Sequence, residues 1–180
     1  MQAKPANITY DISKLRPVAT PDQFAMHLKI HQKHIDNFNN SEGDIPFEKA
    51  GAYLHKLFFE NIRERRVDNQ PLGKVAEILE LRYGTWDNFY KTYQDTVNKL
   101  QGSGWVFMNT SGYLNIIPNN RIVDNIAFVI DFWEHAYYPQ FGTLKAGYAK
   151  EMLHLINWEE VNHRILSSKD KKREKQSITG

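Results

Sequence analysis

Polar and apolar positions change texture near residue 100. Up to that point apolar residues are set among polar ones in long stretches that read as helices. Thr20-Pro21-Asp22-Gln23 marks a helix start: Thr20 caps, Pro21 suits the first turn and Gln23 completes a capping box. The helix it opens is predicted over 21–40 and breaks near Asn39-Asn40-Ser41-Glu42-Gly43. After a turn at 43–46, a second helix is predicted from Phe47 to about Arg65, antiparallel to the first. Residues 68–73 (DNQPLG) read as a loop. Helices at 73–82 and 86–100 follow, separated by Gly84. Beyond residue 100 the runs shorten. GSGWVFMN (102–109) and YLNIIP (113–118) read as strands joined by a turn at Ser111-Gly112, and IAFVID (126–131) as a third strand. Two further helices are predicted at 144–155 and 157–167. Helices first, then strands with helices, is an α+β pattern with a small antiparallel sheet. It divides into an N-terminal helical hairpin (1–68), a C-terminal α/β part (69–168) and a charged tail (169–180) expected to be flexible.

Composition narrows the chemistry. The 180 residues suit one domain or two layers, with 41% hydrophobic residues for a core and 13% aromatic residues for dry pockets. A net charge of only +2 argues against a nucleic-acid binder. The chain has no Cys, which excludes disulfides, thiolate metal sites and a cysteine nucleophile. No run of about 18 apolar residues occurs, so no membrane span is expected, and no signal-peptide stretch is seen. These features are compatible with the cytoplasm or the mitochondrial matrix.

Without cysteine, a transition-metal site must use His and carboxylates, and there are seven His. His27, His31 and His34 share one face of the first helix. His55 lies mid-way along the second, next to Leu57-Phe58-Phe59, where a hairpin could bring it opposite His27. Asp131 ends an apolar strand, and His135 follows four residues later. Three imidazoles and one carboxylate suit Mn, Fe or Zn. Each His read alone is better explained as an ordinary helix residue, and the spacing of the set brings the metal reading only level with that one. His154 and His163 have no convergent partners and read as surface or packing residues. Most of the rings, Phe58, Phe59, Trp105, Phe107, Trp133, Tyr137 and Tyr138 among them, read as core.

The motifs resemble the iron/manganese superoxide dismutase family. DFWEHAYYPQF (131–141), GSGWVFM (102–108), INWEEV (156–161), YDISKLRP (10–17) and LHKLFFENI (54–62) match family segments, in family order, from Tyr10 to Ile165. The resemblance implies a helical hairpin followed by an α/β domain with a three-stranded antiparallel sheet. It implies one Mn or Fe per subunit held by His27, His55, Asp131 and His135, with solvent as a fifth ligand, and dismutation of superoxide to oxygen and hydrogen peroxide. It further implies a two-fold dimer, or a heterodimer with a paralogue. In that dimer Glu134 reaches the partner's ligand His135 and Tyr138 meets the partner's His31. Trp105 and Trp133 fall in the ring shell around the metal.

The chain also departs from the family pattern. Counting forward from Tyr10 places His27 on the first ligand, whereas counting back from Asn39 places Met26 there. His27 and His55 are only 28 residues apart, so the hairpin is shorter than usual in the family. The family's channel Tyr is matched by His34, which is expected to relay protons. Iron-type members carry a Gln four residues before the second ligand, where this chain has Gly51. Manganese-type members have Gly there and supply a Gln from the sheet hairpin. Residues 109–125 contain neither Gln nor His, so Asn119 or Asn120 is the expected substitute. Gly51 and Phe58 lean toward manganese. The missing Gln keeps a second reading open: a dismutase-like structural subunit of a large assembly such as a mitochondrial ribosome, in which the basic tail meets RNA. A zinc hydrolase has little support, because no general base lies beyond the ligands.

Overall fold

The computed structural model describes residues 2–178, with side chains described as far as Ser168. Its order is α1 (Pro21–Asn40), α2 (Ile45–Glu60), α3 (Gly73–Tyr83), α4 (Trp86–Lys99), β1 (Gly104–Asn109), β2 (Leu114–Pro118), β3 (Ile126–Asp131), α5 (Glu134–Phe141), α6 (Lys145–Leu153) and α7 (Trp158–Ile178). The α+β expectation holds: α1 and α2 form the N-terminal hairpin, and the three strands form one antiparallel sheet in the order β2-β1-β3. Among the described residues no helix is long and apolar enough to cross a membrane.

Local chemistry sets the helix ends. Thr20 Oγ1 accepts from the Gln23 amide, so the predicted cap forms. Gln23 does not close a capping box, however. Its side-chain Nε2 donates instead to the Ala136 carbonyl, tying the start of α1 to α5. Ser41, in the left-handed region, ends α1, and Asp44 caps α2 through the Phe47 amide.

The helix α2 stops at Glu60, five residues short of the expected Arg65. Asn61 is the reason. Its Nδ2 donates to the Phe58 carbonyl and its Oδ1 accepts from the Val129 amide of β3. The chain then runs extended against the C-terminal segment, with a bridge between Ile62 and Ile156 and a bond from the Arg63 amide to the Leu155 carbonyl. Tertiary pairing overrides helix propensity here.

Two further corrections concern the C-terminal half. The helix α5 is absent from the sequence reading. It is short and carries Pro139 inside, which removes one intrahelical donor. The helix α7 runs on to Ile178, where a flexible tail from Lys169 is expected. The stretch KDKKREKQ is rich in strong helix formers and free of Gly and Pro, so the backbone continues helical. The last two residues of that tail, Thr179 and Gly180, lie outside the described residues.

The core lies where the hairpin, the sheet and α7 meet. Every residue of β3 is buried, while in the edge strand β2 only Ile117 is buried and Asn115 and Pro118 are exposed. The β1–β2 pair sits very close at one end. A Cβ on Gly104 would lie 2.5 Å from the Ile117 carbonyl oxygen, so this position admits glycine alone. The register places Trp105 of β1 opposite Asp131 of β3, which fixes the carboxylate at the sheet's end, facing the hairpin.

Candidate metal centre

Four elements deliver one group each to a single point. His27 comes from α1, His55 from α2, Asp131 from the end of β3 and His135 from the first turn of α5. One ligand atom from each lies within 4.8 Å of all the others. The Nε2 atoms of His27, His135 and His55 stand 3.1, 3.2 and 3.5 Å from the same atom, Asp131 Oδ2. The other carboxylate oxygen, Oδ1, accepts from the Trp133 amide at 2.8 Å. Asp131 is wholly buried, His55 and His27 nearly so, and the His135 side chain is 20% exposed. Met26 is 43% exposed and His27 is buried in the cluster, so the structure brings His27, not its neighbour, to the site.

His55 reveals what the cluster lacks. Its Nδ1 lies 2.8 Å from the Gly51 carbonyl oxygen, which only accepts, so Nδ1 carries the proton. Burial pushes the His55 imidazole well below its ordinary pKa, so the ring is neutral and Nε2 holds a lone pair. That nitrogen is buried with no hydrogen-bond partner, and it faces a carboxylate oxygen. Two acceptors turned toward each other in a dry site repel, unless a cation lies between them. Burial also pushes His27 down. For Asp131 burial raises the carboxyl, but its electrostatic and hydrogen-bonding interactions with His135 and His27 outweigh it and hold the group below the usual carboxylate range. Burial disfavours the charged forms of His27 and His55 while Asp131 is held ionised, which suits residues that are to serve as metal ligands. With three nitrogens, one oxygen and no sulfur, the residues fit Mn or Fe.

Rings wall this cluster. Trp105 meets the His55 ring edge-on at 4.9 Å, Trp133 stacks on His135 at 6.1 Å, and Phe58 and Phe59 lie against His27 at 5.4 and 4.9 Å. Trp105 Nε1 donates to Asn120 Oδ1 at 3.0 Å, which brings that buried amide in from the β2–β3 turn, while Asn119 stays exposed. His34 enters from α1 and lies 5.3 Å from the His55 ring. His31 is buried beside them, and its Nε2 accepts from the Ala6 amide, so the chain's own N-terminal segment occupies that nitrogen. Burial, with the charges of His27 and His34, lowers His31 to about 4. Glu134 and Tyr138 lie on the outer face of α5, both exposed. His154 and His163 lie apart from the cluster.

Sequence reading missed Glu48. It is buried on α2 and bonded to His34 across the hairpin, 14 residues away in the chain. No motif links the two, and only the pairing of α1 with α2 brings them together.

Comparison with known proteins agrees with this geometry. Residues 71–164 match the C-terminal domain of iron/manganese superoxide dismutases. The chain is 26% identical to an iron superoxide dismutase of Sulfolobus acidocaldarius, over 88% of this chain and 90% of that protein. It is 27% identical to a mitochondrial manganese superoxide dismutase of Aspergillus niger, over 89% and 91%. A manganese superoxide dismutase of Mycolicibacterium fortuitum is 28% identical over 73% of this chain and 67% of that protein.

Proposed function

The chain belongs to the iron/manganese superoxide dismutase family, and on that premise we propose that it converts superoxide to oxygen and hydrogen peroxide at the cluster around Asp131. The observation that carries this reading is the lone pair of His55 Nε2, buried without a partner and facing Asp131 Oδ2. Names of the relatives point to an enzyme, and nothing among the described residues favours the structural-subunit alternative.

A bound Mn or Fe would supply one-electron exchange between its +3 and +2 states, which lets one superoxide be oxidised and the next reduced. The chain supplies the rest. His27, His55, His135 and Asp131 would hold the metal through three Nε2 atoms and Oδ2. The Gly51 carbonyl fixes the His55 tautomer, and the Trp133 amide holds the carboxylate rotamer, so the ligands need little rearrangement when the charge changes. Phe47 and Trp133 pack on the rings of His34 and His135, Trp105 packs on His55, and His34 stands beside His55.

Two residues around this set support manganese as the finer choice of metal. Gly51 leaves no side chain on α2 to reach the metal's solvent ligand, and the buried amide comes instead from the sheet side, at Asn120. That arrangement resembles the manganese type, so manganese is the proposed metal.

We also propose a two-fold dimer through α5. His135 spends Nε2 on the cluster and keeps Nδ1 for another partner, and the exposed Glu134 of a second copy is the candidate. Tyr138, 54% exposed, and Leu144, 69% exposed, give that face apolar surface. His31 contributes less to it than the sequence suggests, since Ala6 already occupies its Nε2.

The test is metal content and dismutation measured on the same purified protein. Activity proportional to Mn or Fe content is expected. Full metal occupancy without dismutation would overturn the proposal.

A further inference from the structure

On the hairpin side of the site, residues outside the ligand set interlock. His34 Nδ1 donates to Glu48 Oε2 at 2.5 Å. The second oxygen of Glu48 accepts from Asn37 Nδ2 at 3.0 Å. Both partners are mostly buried, with side chains 14% and 12% exposed, so this is no solvated surface pair. Contacts this short between imidazole and carboxylate belong to charge-assisted hydrogen bonds, which fix geometry as well as add energy.

Gly51 completes the arrangement. A Cβ at this position would lie 2.7–2.8 Å from Cγ, Nδ1 and Cε1 of the His34 ring. No alanine fits while the ring stays, so the imidazole rests on bare helix backbone. Glu48, Gly51 and His55 recur at the spacing that lines up one helix face. A ring held by the first and seated on the second therefore stands beside the third, with centroids 5.3 Å apart. Phe47 flanks the ring at 5.6 Å and continues through Trp133 to His135. His34 thus forms the inner end of a wall running around the cluster.

We propose that Glu48 is the positioning residue for His34. It captures Nδ1, seats the ring on Gly51, and so leaves Nε2 as the ring nitrogen free to meet substrate or solvent beside the ligand His55. This rests on the dismutase reading for its consequence but not for its geometry. Glu48, Gly51 and His34 act as one unit, so replacing any one of them removes the same effect.

The test has two arms. In histidine-15N-labelled protein loaded with Zn2+, a diamagnetic occupant of the site, NMR should show a far-downfield proton on His34 Nδ1. Glu48→Gln, which keeps size and shape, should abolish it, and so should Gly51→Ala. His34→Gln identifies the resonance by removing it. In manganese-loaded protein, Glu48→Gln and His34→Gln should each lower kcat per bound metal roughly 10-fold. The double variant should be no worse than either single one, as expected of residues that act together. A tie that merely pins the hairpin would lower the unfolding midpoint and leave kcat per metal unchanged. That outcome, additive losses, or a resonance that survives Glu48→Gln would each overturn the inference. A metal-filled wild type without dismutation would sink the dismutase reading instead, and would leave the resonance in place.

Discussion

The cluster around Asp131 and the rim around His34 are neighbours in space and opposites in construction. In the cluster three imidazoles from α1, α2 and α5 converge on one carboxylate oxygen at the end of β3; His55, Asp131 and His135 sit in recognisable motifs, and His27 is reached by counting from one. In the rim an imidazole, a carboxylate and a bare glycine fit together across the hairpin, and no motif marks them. As a metal site the cluster would answer to coordination chemistry, which fixes donor type, charge and number, so few residues would serve. The rim answers only to volume and hydrogen-bond reach, so different residues can fill the same space. The Gly51 seat makes the point, since a side chain on α2 there and the ring from α1 exclude each other.

The comparison is sharpest where the expected effects are largest. Asp131→Ala should remove nearly all bound metal and with it all dismutation, because the three imidazoles lose the carboxylate they share. Metal analysis after dialysis checks this, and unchanged metal content would show that the ligand set is wrong. Gly104→Ala should follow. Its Cβ would meet the Ile117 carbonyl at 2.5 Å, and forcing the strands apart should cost about 1–3 kcal/mol in urea unfolding. That change tests the scaffold holding Asp131 opposite Trp105 and leaves the rim alone.

Acid should act on the histidines before it acts on the fold's other parts. Burial lowers His27, His55 and His31, the last to about 4. The unfolded chain takes up protons near pH 6.5 while the folded chain resists them, so stability is full above that value and falls as pH drops toward 4. His31 alone should give the metal-free protein a slope approaching about 1.4 kcal/mol per pH unit in this window. Urea midpoints that stay level between pH 6.5 and 5 would contradict it. Asn120→Ala should have a smaller effect on folding than on turnover. Losing the bond to Trp105 should cost about 1 kcal/mol, while activity per metal falls roughly 10-fold. Equal activity would show that the amide is a packing group.

The sequence made the same division visible. The order of elements, the hairpin and the sheet follow from capping residues, turns and the change of texture near residue 100. The convergence of His27, His55, Asp131 and His135 became legible through the resemblance, since spacing alone left ordinary helix histidines as an equal reading. Glu48 was invisible because nothing local requires it. The Asn61 stop to α2 was hidden for a related reason: it depends on an amide of β3, not on the helix itself. Pro139 disguised α5, and the apolar and aromatic residues around the cluster read as core because most of them are core as well.

The central claim is that one redox metal sits between His55 Nε2 and Asp131 Oδ2. Anomalous diffraction from crystals of the manganese-loaded protein, recorded on both sides of the manganese edge, tests it directly. A single manganese peak is expected, within bonding distance of the Nε2 atoms of His27, His55 and His135 and of Asp131 Oδ2. A loaded, active protein whose manganese peak lies anywhere else would contradict the account.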